Sequence, residues 1–153
     1  MARTDYSVNL AGENIARGKA NEIPVSPKHS IEIANFIRNK QVNEAISQLQ
    51  EIVAQKRPLP LKTFNKKVPH RRGLTGWDAG RYPRNATLAV IKLLESVKKN
   101  AEYNGLDTEK LQIVHVAANR GRAHRSFFPR AMGRATPKAR ESANIEVIAK
   151  EVE

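Results

Sequence analysis

Apolar residues recur with a helical period in three places and with a shorter period in two. Ser26-Pro27 reads as a helix start, with Ser able to cap and Pro at the first helical position, where its missing N–H costs nothing. Ile33, Ala34, Phe36 and Ile37 then make a short apolar face up to about Asn39. Val42, Ala45, Ile46, Leu49, Ile52 and Val53 fall at i, i+3, i+4, i+7 spacing and predict a second helix, capped by Asn39 or Asn43 and ended before Pro58. The strongest pattern opens at Asn85, where Ala86, Ala89, Val90, Leu93, Leu94, Val97 and Ala101 form one broad stripe; Asn104-Gly105 supplies a left-handed stop. The second and third helices must face each other or a shared sheet.

Past Lys110 the period shortens. Leu111, Ile113, Val114, Val116, Ala117 and Ala118, and later Ile145, Val147 and Ile148, predict two strands. Between them, residues 119–144 hold only Phe127, Phe128 and Met132 as large apolar side chains, with Pro129, Gly133 and Pro137 near the centre. That composition describes an extended β-hairpin arm standing off the body. A strand from Leu111 to Phe128 would reach roughly 60 Å at about 3.3 Å per residue. An isolated two-stranded ribbon is marginal in water, so the arm expects to be buried in something polyanionic.

Two stretches lack a sustained period. Residues 5–25, interrupted by Gly12, Gly18 and Pro24, read as an extended leader with strand character. Pro58 to Pro83 holds four Pro and three Gly and reads as a long irregular loop, of the kind that is either functional or disordered. Leu59, Leu61, Phe64, Leu74, Trp77 and Tyr82 are interleaved with its cations, which favours a segment ordered by a partner.

The 153 residues fit a single domain, 1–153, and their net charge of +12 makes nucleic acid or an anionic membrane the first partner to consider. Charge is not evenly spread. Residues 56–84, a basic irregular insertion, carry nine cations against Asp78 alone, a net of +8; residues 120–140 carry seven cations and no anion. The rest of the chain therefore sums to −3. A chain made merely soluble would mix its signs over every face.

Cysteine is absent, which excludes disulfides, Fe–S clusters and thiolate zinc. With no apolar run of signal-peptide or membrane-spanning length, the chain is expected to be soluble, unsecreted and free of membrane. His29, His70, His115 and His124 share no ligand spacing and have no close carboxylate or Cys, so no metal is expected. No phosphate-binding glycine loop appears, no Ser-His-carboxylate order can be read, and the acidic residues sit on helical faces where solvation explains them. No cofactor and no catalysis are expected.

The arm has six Arg to one Lys, and Arg binds phosphate bidentately, stacks on bases and works in desolvated spaces. Folded RNA, with junctions into which a loop and a ribbon can both thread, suits this better than duplex DNA. An architectural DNA-binding protein, which kinks duplexes with paired β-arms, is the alternative. Phe127 and Phe128 suit packing across the hairpin tip better than base stacking; for Trp77 and Tyr82 the two readings are even.

Arg125-Ser126-Phe127-Phe128-Pro129-Arg130-Ala131-Met132-Gly133-Arg134-Ala135, with nine residues from Ala135 to Ala143 and then Asn144-Ile145-Glu146-Val147, strongly resembles the hairpin signature of the large ribosomal subunit protein twenty-two family. Ser26-Pro27-Lys28, the stretch from Asn100 to Asn104 and Leu106-Asp107 resemble the body of the same family. Ala149 departs from the usual larger aliphatic, and the insertion resembles the archaeal and eukaryotic branch. The resemblance implies an α+β fold, a small three-helix domain on a three-stranded antiparallel sheet with a long protruding β-hairpin. It further implies a structural constituent of the large ribosomal subunit, cytoplasmic, that binds ribosomal RNA and supports its assembly. Its partners would be that RNA, neighbouring ribosomal proteins and, transiently, the nascent polypeptide, with no homo-oligomer. Pro129, Arg130, Ala131, Met132, Gly133 and Arg134 would form the tip that lines the peptide exit tunnel. Arg120, Arg122, Arg125, Lys138 and Arg140 of the arm would hold RNA phosphates, as would Lys62, Lys66, Lys67, Arg71, Arg72, Arg81 and Arg84 of the insertion.

Overall fold

A computed structural model describes residues 6–10, 12 and 14–152. Strand β1 (Ile15–Ile23) is followed by helices α1 (Pro27–Ile37) and α2 (Val42–Val53), then by two-residue strands β2 (Leu59–Pro60) and β3 (Gly80–Arg81). Helix α3 (Arg84–Tyr103) leads into β4 (Leu111–Arg120), β5 (His124–Pro129), a 3-10 turn at Ala131–Gly133, β6 (Ala135–Arg140) and β7 (Ala143–Glu151). The main sheet is antiparallel with order β1-β7-β4; β2 pairs with β3, and β5 with β6. This is the α+β arrangement of three helices, a three-stranded sheet and a hairpin.

Alternation along β7 explains the layering. Ala143, Ile145, Val147 and Ala149 point to the helices and join a core with Ile33, Ile37, Val42, Leu49, Ile52, Leu94, Val97, Ile113 and Val116. Glu146 and Ile148, on the other face, are buried as well. Gly18 lets α3 lie directly on β1: a Cβ there would stand 2.5 Å from Val97 Cγ2. The core is wholly aliphatic at its centre, as eight aromatics in 153 residues require.

Four local expectations are corrected. Ser26 occupies the cap position of α1 without a side-chain capping bond, and it is Ser30 Oγ that donates back to Ser26 O. Neither Asn39 nor Asn43 caps α2; Gln41 does so by position. Asn39 adopts φ +62° and exchanges backbone hydrogen bonds, through itself and Lys40, with Ile113, which stitches the α1–α2 junction to β4. Asn43 lies inside the first turn, where its amide donates to Thr108 O. Third, no continuous strand runs from Leu111 to Phe128: pairing lapses over residues 121–123, where Gly121 N donates to Ser142 O and Ser142 Oγ to Arg122 O, so the arm is bent at its root. Fourth, the Pro58–Pro83 loop is not purely irregular: it contains the β2–β3 pair and is anchored to the body at Glu32, Leu59 and Leu61.

Three expectations hold. Pro27 stands at the first helical turn, Gly105 takes the left-handed φ of +74° past Asn104, and strand character in the leader condenses into β1. Of the leader, residues 1–5, 11 and 13 lie outside the described residues.

Candidate nucleic-acid interface

The insertion is anchored by a carboxylate. Glu32, on α1 and 2% exposed, accepts backbone N–H groups from Lys62 (3.0 Å), Thr63 (2.7 Å) and Phe64 (2.7 Å). Charge-assisted bonds of this kind are roughly twice as strong as neutral ones, and three of them on one buried group fix the chain direction of the loop. Leu59 and Leu61 enter the interior, β2 pairs with β3, and Trp77 Nε1 donates to Leu61 O at 2.9 Å. Trp77 is thus held as a structural strut, and Tyr82 lies under the Arg71 guanidinium, 5.6 Å from its ring centre. Sequence reasoning passed over Glu32. Its only signal is an acidic residue among apolar neighbours, Ile31, Ile33 and Ala34, in an amphipathic helix.

The cations of this loop stay outside. Lys62, Lys66, Lys67, Arg71, Arg72, Arg81 and Arg84 are all exposed. Arg81 Nη2 reaches Lys67 O at 3.4 Å, a long contact that leaves most of its donors free for other acceptors.

The arm is built differently. Its six cross-strand pairs run from His124↔Arg140 to Pro129↔Ala135, and no residue from His124 to Pro129 is shielded from solvent. Arg120, Arg122, Arg125 and Arg140 are exposed, with Lys138 half-buried because its ammonium lies 4.3 Å from the Phe128 ring centre. Among the described residues, Arg120 is the one candidate cation in an ion pair, with Glu141 at 3.7 Å. Phe127 is 66% and Phe128 48% exposed, so the expected packing across the tip is slight: Phe127 sits opposite Pro137, and Phe128 is covered by Lys138 rather than by an apolar partner.

At the tip, Arg130 N donates to Arg134 O at 2.8 Å, closing a turn in which Met132 (φ +57°) and Gly133 (φ +67°) are both left-handed. A non-glycine residue in that region is strained, and Met132 is held there while 89% exposed. Arg130 Nε donates to Thr136 Oγ1, which aims Arg130 along the ribbon. Pro129, Ala131 and Arg134 complete the exposed tip.

Both basic segments rise from one end of the body. Ile23 at the end of β1 pairs with Ala143 at the root of the arm. Four residues later α1 begins beside the insertion, a span of at most about 14 Å. The antiparallel bonds from Asn100 and Asn104 to β1 carbonyls (Arg17 O and Ile15 O) put the start of α3, and hence Arg84, at the same end. Glu102, Asp107, Glu109 and Glu151 lie at the other, where Asp107 N donates to Glu151, with Lys98, Lys110 and Lys150 among them. That end is mixed in charge, in contrast to the two nearly pure cationic segments.

Ser7, His115 and Glu146 meet on the outer face of the sheet, so the statement that the histidines lack a carboxylate neighbour is corrected for His115. His115 Nε2 lies 3.2 Å from both Ser7 Oγ and Glu146 Oε1, and Ser7 Oγ also donates to Glu146. Because one ring nitrogen meets both partners, no relay passes through the imidazole, as an acyl-transfer triad requires. Burial pushes the Glu146 carboxyl up, but hydrogen bonds from Ser7 and His115 and the His115 charge outweigh it and hold the pKa below the usual value. The cluster pins the leader across the sheet. Among the described residues, no three metal-ligating side chains converge, and no helix is long and apolar enough to cross a membrane.

Residues 18–150 match the family described as Ribosomal protein L22p/L17e. The chain is 60% identical over 153 residues to the large ribosomal subunit protein uL22 of Methanoregula boonei, and 62% over 152 residues to that of Methanoculleus marisnigri, with 99% of each chain covered in both cases. It is 44% identical over 151 residues to the protein of the same name from Methanocaldococcus jannaschii, covering 99% of this chain and 97% of the relative. These relatives lend no support to the DNA-binding alternative.

Proposed function

The chain belongs to the ribosomal protein L22p/L17e family and is a structural constituent of the large ribosomal subunit in the cytoplasm, and we propose that it works there by clamping ribosomal RNA between its two basic segments. The observation that carries this reading is the common root of those two cationic segments at one end of the body. In this proposal Lys62, Lys66, Lys67, Arg71, Arg72, Arg81 and Arg84 form one jaw. Arg120, Arg122, Arg125, Lys138 and Arg140 form the other, and the 119–144 arm continues to a tip, residues 129–134, at the wall of the peptide exit tunnel.

In this reading the role is structural and RNA-binding. Arginines exposed on a narrow ribbon reach phosphates on both sides at once, which a body-mounted cation cannot do. The strained turn at Met132 and Gly133 gives the tip one shape to present to RNA or to a passing nascent chain. The insertion, tied to α1, sets the angle at which the arm enters.

Salt titration of binding to large-subunit ribosomal RNA tests the clamp. With about 6 to 10 phosphate contacts, affinity falls by roughly 10³ to 10⁵ between 50 and 200 mM salt. Neutralising the arm arginines or the insertion cations separately must each lower that slope. A flat slope, or one that only a single segment controls, overturns the two-jaw reading.

A further inference from the structure

A cavity of about 440 Å³ lies between the start of α1 and the insertion, sharing Lys66 and Arg81 with the charged surface described above. Leu61, 2% exposed, forms its floor, Phe64 and Val68 its walls, and Lys28, Lys66 and Arg81 its cationic border. We propose that this cavity receives a single unpaired nucleotide of RNA, its base against the Phe64 ring and its phosphate among Lys28, Lys66 and Arg81. The proposal rests on the ribosomal-RNA reading for its ligand.

Size and chemistry both fit. A volume of about 440 Å³ is large enough for one nucleotide, and a base that has left its stack is free to enter it. Single-stranded RNA is recognised in this way, through unstacked bases laid on aromatic faces and phosphates held by cations. Phe64 is half-buried, so one part of the ring is fixed in the protein and another is open to the cavity. Lys28 Nζ stands 5.8 Å from the ring centre, close enough to meet a phosphate whose base lies on that ring.

The wall is also built in advance. Glu32 binds the backbone N–H of Phe64 itself and of the two residues before it, so the ring need not be ordered by the ligand. His29 lines the same cavity, where burial and then the neighbouring Arg81 charge lower its pKa, with Glu32 opposing them. A neutral imidazole both donates and accepts, which suits the edge of a base better than a phosphate. Thr63 and Asn65 add side-chain donors and acceptors at the border.

The test uses the full chain with a transcript of large-subunit ribosomal RNA and, separately, with AMP, GMP, CMP, UMP and inorganic phosphate. Phe64→Leu is expected to weaken RNA binding on the order of tenfold and to expose one unpaired nucleotide in chemical footprinting while other protections persist; Phe64→Trp restores both. In NMR titrations the monophosphates shift the Phe64 ring and His29 signals, and inorganic phosphate leaves the ring unmoved. A Phe64→Leu footprint identical to wild type at every nucleotide, or phosphate alone reproducing every shift, overturns the pocket. A wild-type chain that protects no RNA overturns the ribosomal-RNA reading instead, and the mononucleotide titration then decides the pocket separately.

Discussion

The insertion and the arm carry nearly the same charge, +8 and +7, on opposite mechanical principles. The insertion is irregular in backbone yet tied to the body at Glu32, Leu59, Leu61 and Trp77. The arm is regular in backbone yet tied only at its root, through Gly121 and Ser142. Regular secondary structure is thus a poor guide to which segment is rigid before RNA arrives. What decides it is the number of buried anchors, because each anchor must offset the entropy of ordering an open chain, about 1–2 kcal/mol per residue of backbone.

The comparison breaks most directly at Glu32. Glu32→Ala removes the acceptor of three backbone donors at once, and we expect it to cost about 3 kcal/mol, read as a lower urea midpoint. The loop then frees itself and solvates those donors, so amide exchange rises over residues 61–65 while the β5–β6 ladder keeps its rates. Equal loosening of both segments would show that the insertion is not anchored separately.

A smaller effect is expected at Glu146, which pins the leader rather than a basic segment. Glu146→Gln keeps an acceptor but loses the charge, and we expect a loss of about 1 kcal/mol at pH 7 together with faster exchange of the Ser7 amide. Its depressed pKa also sets a sign. A carboxyl whose folded pKa lies below its unfolded value contributes stability that is present above the unfolded value and is lost as pH falls through the folded one. The wild type should therefore lose stability in acid, below the ordinary glutamate value of 4.5, with a steeper slope than Glu146→Gln. Parallel slopes would mean that the cluster does not couple to folding.

How much of this was legible beforehand follows the same division. The stripes of α2 and α3 and the strand β4 lie in plain periodicity, because each buries one face against a shared core, while β7, buried on both faces at Glu146 to Ala149, shows as a short apolar run. The arm could be read from an absence, the missing core residues between Asn119 and Asn144. The insertion could not. Its order comes from Glu32, Leu59 and Leu61, contacts across some 30 residues of chain that no local pattern encodes. The Ser7–Glu146 bond, spanning 139 residues, was hidden for the same reason. Asn39 looked like a cap because Asn suits caps, but Asn also tolerates the left-handed backbone that the α1–β4 junction requires. The two blocks of cations could be read locally, but Lys28 and the neutral His29 could not, because their role depends on facing the loop.

The smallest expected effect is on the arm itself. Removing residues 126–134 takes away the tip and most of its ribbon, none of which belongs to the core. Arg125 pairs with Ala139, so joining Arg125 to Ala135 leaves residues 135–138 as a four-residue loop across a pair that already exists. Nothing buried is exposed and no ladder upstream of Arg125 is cut, so stability in urea should move by no more than about 0.5 kcal/mol, with cooperative unfolding retained. The same deletion should leave the insertion's exchange rates untouched, since its anchors lie on α1 and the interior. A loss of cooperative unfolding would mean that the arm, despite its exposure, supports the body. The two basic segments would then be alike in being built into the core, and the contrast between them would fail.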